Sequence, residues 1–110
     1  MTRPQVIFMG TGEFAVAPLQ ALVIVADVLA IITQPARTNK QLSNTVNVNP
    51  VINVAAKLGI THYTPEKIGS MIDQIKHLTP DIMVVADYGQ IIPPSVLSIP
   101  PYGGINRKSL

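Results

Sequence analysis

The sequence predicts an α/β fold, doubly wound about a mainly parallel sheet of five strands. Three observations carry that reading: short apolar runs of strand length recur along the chain, segments at helical spacing stand between them, and Gly or Pro punctuates the junctions. Strands and helices that alternate in this way are joined most economically by right-handed crossovers between parallel strands. The first strand is Val6-Ile7-Phe8-Met9, whose β-branched and aromatic content favours a buried strand, ended by Gly10-Thr11-Gly12. A helix follows with Phe14, Ala15, Leu19, Leu22 and Val23 near helical spacing; Pro18 belongs in its first turn, which leaves residues 13–17 as an irregular lead-in. Asp27 to Thr33 is the second strand. Residues 34–49 switch to Gln, Asn, Thr, Arg and Lys without apolar pattern and read as a long exposed loop, a length that usually serves a function.

Pro50 to Leu58 is a helix with Pro at its first position and Gly59 just past its end. Ile60 to Tyr63 is a short third strand. Thr64-Pro65-Glu66-Lys67 offers a cap hydroxyl, a first-turn proline and a first-turn acid, so the spacing predicts a helix over 65–78 with Ile68, Ile72 and Ile75 on one face, stopped by Pro80. Asp81 to Ala86 is the fourth strand, a short helix lies around Pro94 to Leu97, and Gly103-Gly104-Ile105-Asn106 begins a fifth strand.

At 110 residues, with 47% apolar and 13% charged residues, the chain is expected to form one domain over 1–110 and no second. The absence of cysteine removes disulfides, thiolate metal sites and a cysteine nucleophile, and His62 and His77 alone cannot build a zinc site, so no metal is expected. The longest apolar tract, Leu19 to Ile32, carries Gln20 and Asp27 and is shorter than the about 20 residues a membrane span needs. The apolar stretch at the start stops at Gly10, which reads against a secretory signal. A cytoplasmic location without membrane contact is the resulting expectation. A net charge of +2 does not by itself argue for a nucleic-acid partner.

In a doubly wound sheet, ligands bind outside the carboxyl ends of the strands, here Gly10-Thr11-Gly12, Thr33-Gln34-Pro35, Asp87-Tyr88-Gly89 and Asn106. Gly10-Thr11-Gly12-Glu13-Phe14-Ala15 matches the G-x-G-x-x-A form of the dinucleotide fingerprint between a strand and a helix. The second strand, however, ends in Ile31, Ile32, Thr33 and Gln34 instead of an acid for a ribose diol, and Glu13 puts negative charge where a pyrophosphate would sit. The glycines read better as a tight strand-to-helix turn.

Ile7-Phe8-Met9-Gly10-Thr11 with Glu13-Phe14-Ala15-Val16, Thr33-Gln34-Pro35 with Arg37, Gly59-Ile60, Tyr63, Pro65-Glu66-Lys67, Val84-Val85-Ala86 with Tyr88-Gly89-Gln90-Ile91-Ile92-Pro93, and Gly103 with Ile105-Asn106 follow one another in a set order and spacing. In that order and spacing the chain resembles the methionyl-tRNA formyltransferase family over nearly its whole length. The resemblance covers the amino-terminal portion of that family's longer catalytic domain, which implies an incomplete, Rossmann-like formyltransferase domain. It also implies transfer of a formyl group from 10-formyltetrahydrofolate to the amino group of methionyl initiator tRNA.

By the same resemblance, Asn106 is the catalytic amide that donates to the oxygen of the donor carbonyl as charge develops. The segment Tyr88, Gly89, Gln90, Ile91 and Ile92 lines the folate pocket, with Ile91 and Ile92 flanking a pterin ring. The 34–49 loop meets the acceptor end of the tRNA, with Arg37 and Lys40 as its phosphate contacts. The departures are equally specific. Lys108 stands where the family has a catalytic histidine, and an ammonium has three donors and no acceptor. The family's aspartate lies further along than Leu110. Loss of general-base help alone costs about 10² to 10⁴ in rate, so the isolated chain is expected to be catalytically incompetent. Asp87 replaces a commonly small residue of the family and reads as either solvent-facing or a pocket acid. His62 and His77 read as solvated. Two other functions fit the residues: a non-catalytic α/β module that binds a ligand, and a relative that formylates a sugar nucleotide or small amine. A fifth strand at the sheet's edge also predicts self-association.

Overall fold

β1 (Gln5–Met9) forms where Val6, Ile7, Phe8 and Met9 supply an unbroken apolar run, and all four are buried. A strand apolar on both faces belongs in the middle of a sheet covered on both sides. In the computed structural model, which describes residues 3–35 and 49–107, β1 is that central strand. It pairs in parallel with β2 (Asp27–Ile32) on one side and β4 (Ile82–Ala86) on the other. β3 (His62–Tyr63) extends the sheet beyond β2, and β5 (Gly104–Arg107) beyond β4, giving the order β3-β2-β1-β4-β5 with every pairing parallel. The α/β doubly wound reading is borne out. As the chain passes from β1 to β2 and β3 it builds one flank of the sheet, and it then returns to build the other. The order therefore reverses between β1 and β4.

The pleat of β1 separates two cores. Phe8, with Ile31 and Ala86, packs under Ala15, under Leu19 of α1 (Val16–Val25), and under Val51 and Ala55 of α2 (Pro50–Leu58). Ile7 and Met9, with Ile32, Met83 and Val85, pack under Ile68, Met71, Ile75 of α3 (Ile72–Leu78) and Val96 of α4 (Pro94–Leu97).

Most expected elements stand within a residue of their expected ends, and three details differ. The segment Thr64–Lys67 does not start a helix: Lys67 is extended, residues Ile68–Met71 form a 3-10 turn, and α3 begins at Ile72. The tighter turn of three residues per revolution stacks Ile68 and Met71 on one side, and both are buried. Ile60 and Thr61 are not in β3, because Ile60 closes α2 instead. Its N–H donates to Ala55 O at 3.0 Å, while Gly59, in the left-handed region at φ 70°, donates to Ala56 O at 3.3 Å. This is the Schellman arrangement that satisfies the last carbonyls of a helix. Phe14, expected on the apolar face of the first helix, is 71% exposed. The lead-in Glu13–Ala15 is a separate 3-10 turn that buries Ala15 alone.

At the opposite end of the sheet, Arg3 closes α1. Its guanidinium donates to the carbonyls of Val23, Ile24 and Ala26 at 2.8 to 3.0 Å and pairs with Asp27 at 2.9 Å. No helix among the described residues is long and apolar enough to cross a membrane.

Candidate functional site

The carboxyl ends of β1, β2 and β4 meet where the strand order reverses, the place at which open α/β sheets bind ligands. A hollow of about 220 Å³ opens there, lined by Thr11, Gly12, Gln34, Pro35, Asn49, Asp87, Tyr88 and Gly89. Its walls are tied together by Thr11, the residue between the two glycines. The Thr11 hydroxyl donates to Tyr88 O at 2.9 Å and accepts from Gln34 N at 3.0 Å and from the Thr33 hydroxyl at 3.4 Å. Gln34 continues the network, donating through Nε2 to Tyr88 O at 3.2 Å and accepting at Oε1 from Gln90 Nε2 at 2.8 Å. Gln90 also donates to Glu66 O at 2.9 Å, which accounts for the extended course of the segment before α3.

Asn49 holds the third wall. Its Nδ2 donates to Thr33 Oγ1 at 2.8 Å and Gln34 O at 2.7 Å, and its Oδ1 accepts from Val51 N and Ile52 N as the cap of α2. The sequence carried a signal for this residue, since an Asn directly before a first-position proline is a preferred cap.

The glycine turn is a packing device. A Cβ at Gly10 would stand 2.6 Å from Ala86 O and 2.7 Å from the Ala15 Cβ, so only glycine lets the turn lie between β4 and the following helix. A Cβ at Gly12 would overlap the Asp87 carboxylate. The turn's amides are also spent: Thr11 N and Gly12 N both donate to Asp87 O, at 2.8 and 3.3 Å. A pyrophosphate needs free N–H groups at this position, and it would meet a carboxylate there instead. The match to the dinucleotide fingerprint is therefore structural.

Asp87 is half-buried and occupies the left-handed region at φ 53°, which costs a non-glycine residue about 1 to 2 kcal/mol. Among the described residues its carboxylate makes no hydrogen bond. Tyr88, next in the chain, turns its side chain away from the hollow into the core beneath α3 and α4 and is 2% exposed. Its hydroxyl has no partner among the described residues, and burial pushes the phenol up from 10.0 to about 12.

The five residues expected to hold folate thus divide. Tyr88 is a core side chain that presents its carbonyl to Thr11 and Gln34, and Gln90 is engaged with Gln34 and Glu66. Ile92 packs against the core, Gly89 lines the hollow, and Ile91 is 94% exposed. Asn106 is exposed on β5, level with Val85, two residues short of Asp87 on the neighbouring strand, and is not among the residues lining the hollow. Arg37, Lys40 and Lys108 lie outside the described residues. His62 and His77 are exposed.

Residues 4–108 match the sequence model of the formyl transferase family. Among curated relatives, the methionyl-tRNA formyltransferase of Alkaliphilus metalliredigens is 45% identical over 108 residues, covering 93% of this chain and 33% of the relative. The methionyl-tRNA formyltransferase of Myxococcus xanthus is 38% identical over 108 residues, covering 96% of this chain and 34% of the relative. The chain spans about a third of the length of the curated relatives it matches. Among solved structures, the formyltetrahydrofolate deformylase of Burkholderia mallei superposes with a TM-score of 0.63 at 18% identity, over 96% of this chain and 37% of that one, a likeness of fold.

Proposed function

The chain belongs to the formyl transferase family, and from that premise we propose that it takes part in cytoplasmic transfer of a formyl group from 10-formyltetrahydrofolate to the amino group of methionyl initiator tRNA. The observation that carries this reading is its identity of 38 to 45% with relatives named methionyl-tRNA formyltransferase along 93 to 96% of its length. The donor supplies an activated formyl carbon; the chain's residues supply positioning. Ile91, with its side chain unclaimed by the core, presents an apolar face to the donor's ring system, and Gly89 leaves the approach open. Asn106 stands near the carboxyl end of β5, beside β4, where its amide donates to the formyl oxygen as negative charge grows. The α-amino group must lose a proton as its C–N bond forms, and Lys108 offers no acceptor for it. We therefore propose that residues 1–110 by themselves, an amino-terminal formyltransferase region by their resemblance, bind without turnover. Arg37 and Lys40 are its phosphate contacts to the tRNA.

Thermal denaturation with a stable 10-formylfolate analogue tests the donor side. A ligand that binds only the native state at 100 times its Kd adds about 2.7 kcal/mol, a rise of several degrees; an unchanged Tm at saturation removes folate from the account. A formylation assay with methionyl initiator tRNA and 10-formyltetrahydrofolate should show no product, and turnover would overturn the assignment of binding alone. β5 leaves one side of its ladder unpaired among the described strands, so we also propose self-association through that edge. A constant monomer mass by light scattering up to millimolar chain would refute it.

A further inference from the structure

Among the described residues around the hollow, Thr11, Gly12, Gln34 and Asn49 spend donors on the protein itself, whereas the Asp87 carboxylate accepts no hydrogen bond. The amides of Thr11 and Gly12 donate to Asp87 O, the Thr11 hydroxyl and Gln34 Nε2 to Tyr88 O, and Asn49 Nδ2 to Thr33 and Gln34. A ligand entering here meets few free N–H groups, which disfavours phosphate, sulfate or carboxylate. It meets instead the Asp87 carboxylate, a group with two oxygens and no hydrogen bond among the described residues. The other half-buried acid shows the contrast: Asp81, at the opposite end of the sheet, accepts from Gln5 N at 2.8 Å. In a cavity of about 350 Å³ at that end, Asp27 is likewise matched, by Arg3. Among the described residues, Asp87 alone combines a cavity wall, partial burial and an unspent charge.

We propose that the hollow between β1 and β4 is a binding site for a primary ammonium group, anchored by the Asp87 carboxylate. Its natural occupant is the protonated α-amino group of the acceptor aminoacyl ester before reaction. The identity of that occupant rests on the function proposed above; the ammonium site rests on the geometry alone. Two oxygens of Asp87 accept two of the three ammonium protons, and the third turns toward solvent or Gln34. Half-burial strengthens such a contact relative to one at a fully wet surface. Asp87 is thus an acceptor-positioning residue: its carboxylate holds the charged amine, and a carboxylate is too weak a base to replace the general-base help of the imidazole that Lys108 displaces.

The test uses the 110-residue chain and L-methioninamide, followed by backbone amide NMR at pH 6.5, where the amine is charged, against N-acetyl-L-methioninamide, where it is not. The expected result is a saturable shift of the Thr11, Gly12 and Gly89 amides with the amine, and none with the acetylated compound. Asp87→Asn keeps a residue tolerant of left-handed backbone and should weaken binding at least tenfold. Asp87→Gly, which needs no strain at φ 53°, should do the same in a chain whose dispersed spectrum shows that it folds. Equal shifts with the acetylated compound, affinity within twofold in both variants, or no shift up to 50 mM (roughly the limit of a weak charge contact) would each overturn the proposal. A bound formylfolate analogue with no response to methioninamide removes the ammonium site and leaves the proposed function standing. The converse keeps the site and removes that function.

Discussion

Replacing Asn49 by alanine should remove more stability than any other single polar substitution near the hollow. The side chain is 2% exposed and works in two directions at once. Through Oδ1 it caps α2 at Val51 N and Ile52 N, and loss of an Asn cap costs about 1 kcal/mol. Through Nδ2 it serves Thr33 Oγ1 and Gln34 O, and leaving a buried acceptor without its donor costs about 1 kcal/mol or more for each. The sum is about 3 kcal/mol, a large part of the about 5 to 15 kcal/mol that holds a domain together. With a urea slope of about 1.5 kcal/mol per molar, the midpoint should fall by about 2 M. Asn49→Ser separates the two contributions, because a serine hydroxyl still caps the helix but cannot reach both acceptors; its loss should be about two thirds as large. Urea titration followed by far-ultraviolet circular dichroism reads all three chains. Midpoints of both variants within 0.3 M of the parent (about 0.5 kcal/mol at that slope) would refute the argument that Asn49 joins α2 to the end of β2.

Gly12 and Asp87 should behave as a coupled pair: Gly12→Ala forces a methyl into the Asp87 carboxylate, so its cost of about 1 to 3 kcal/mol should largely vanish in an Asp87→Gly background. Additive losses in the double-mutant cycle would show that the two do not touch. Tyr88→Phe removes a buried hydroxyl without a described partner and should leave stability at pH 7 unchanged or slightly higher. Because the folded chain holds the Tyr88 proton up to about pH 12 and the unfolded chain only to 10.0, the parent should lose stability between pH 10 and 12, and the variant should lose less over that interval. Identical alkaline unfolding curves would count against a buried phenol. Arg3→Ala should cost about 1 kcal/mol by opening the carboxyl end of α1, and Arg3→Lys should recover little, since one ammonium cannot reach three carbonyls and Asp27 together; full recovery with lysine in a urea titration would mean that charge alone matters.

The parallel sheet was legible because burial on both faces writes itself into β1 and β4 as unbroken apolar runs, and Pro50 and Gly59 mark the ends of α2 through backbone geometry alone. The start of α3 was not legible. Thr64, Pro65 and Glu66 satisfy every local rule for a helix start, but Gln90, 24 residues away, takes the Glu66 carbonyl, and the core takes Ile68 and Met71 together. Tertiary contacts of that kind leave no trace in local spacing. The site shows the same division. Which strand ends meet follows from the order of elements, whereas Tyr88 pointing into the core and Ile91 pointing out depends on the left-handed turn at Asp87 and Gly89, which the residue names leave open.

That turn also explains why a glycine-rich loop with a nucleotide-binding pattern can serve an amine. In a phosphate loop, successive N–H groups converge on an empty space and the ligand's charge completes them. Here the backbone at Asp87 rotates into the left-handed region, so its carbonyl reaches Thr11 N and Gly12 N while its carboxylate lies against the bare Cα of Gly12. The protein supplies its own anion to the loop, and the field at the switch point changes sign for any incoming ligand. A glycine at position 87 would preserve the turn and its hydrogen bonds, because they use only the backbone. What the aspartate adds at a strained position is therefore its charge, and a charge held in a cavity wall without a described partner is best accounted for by a cation outside the chain.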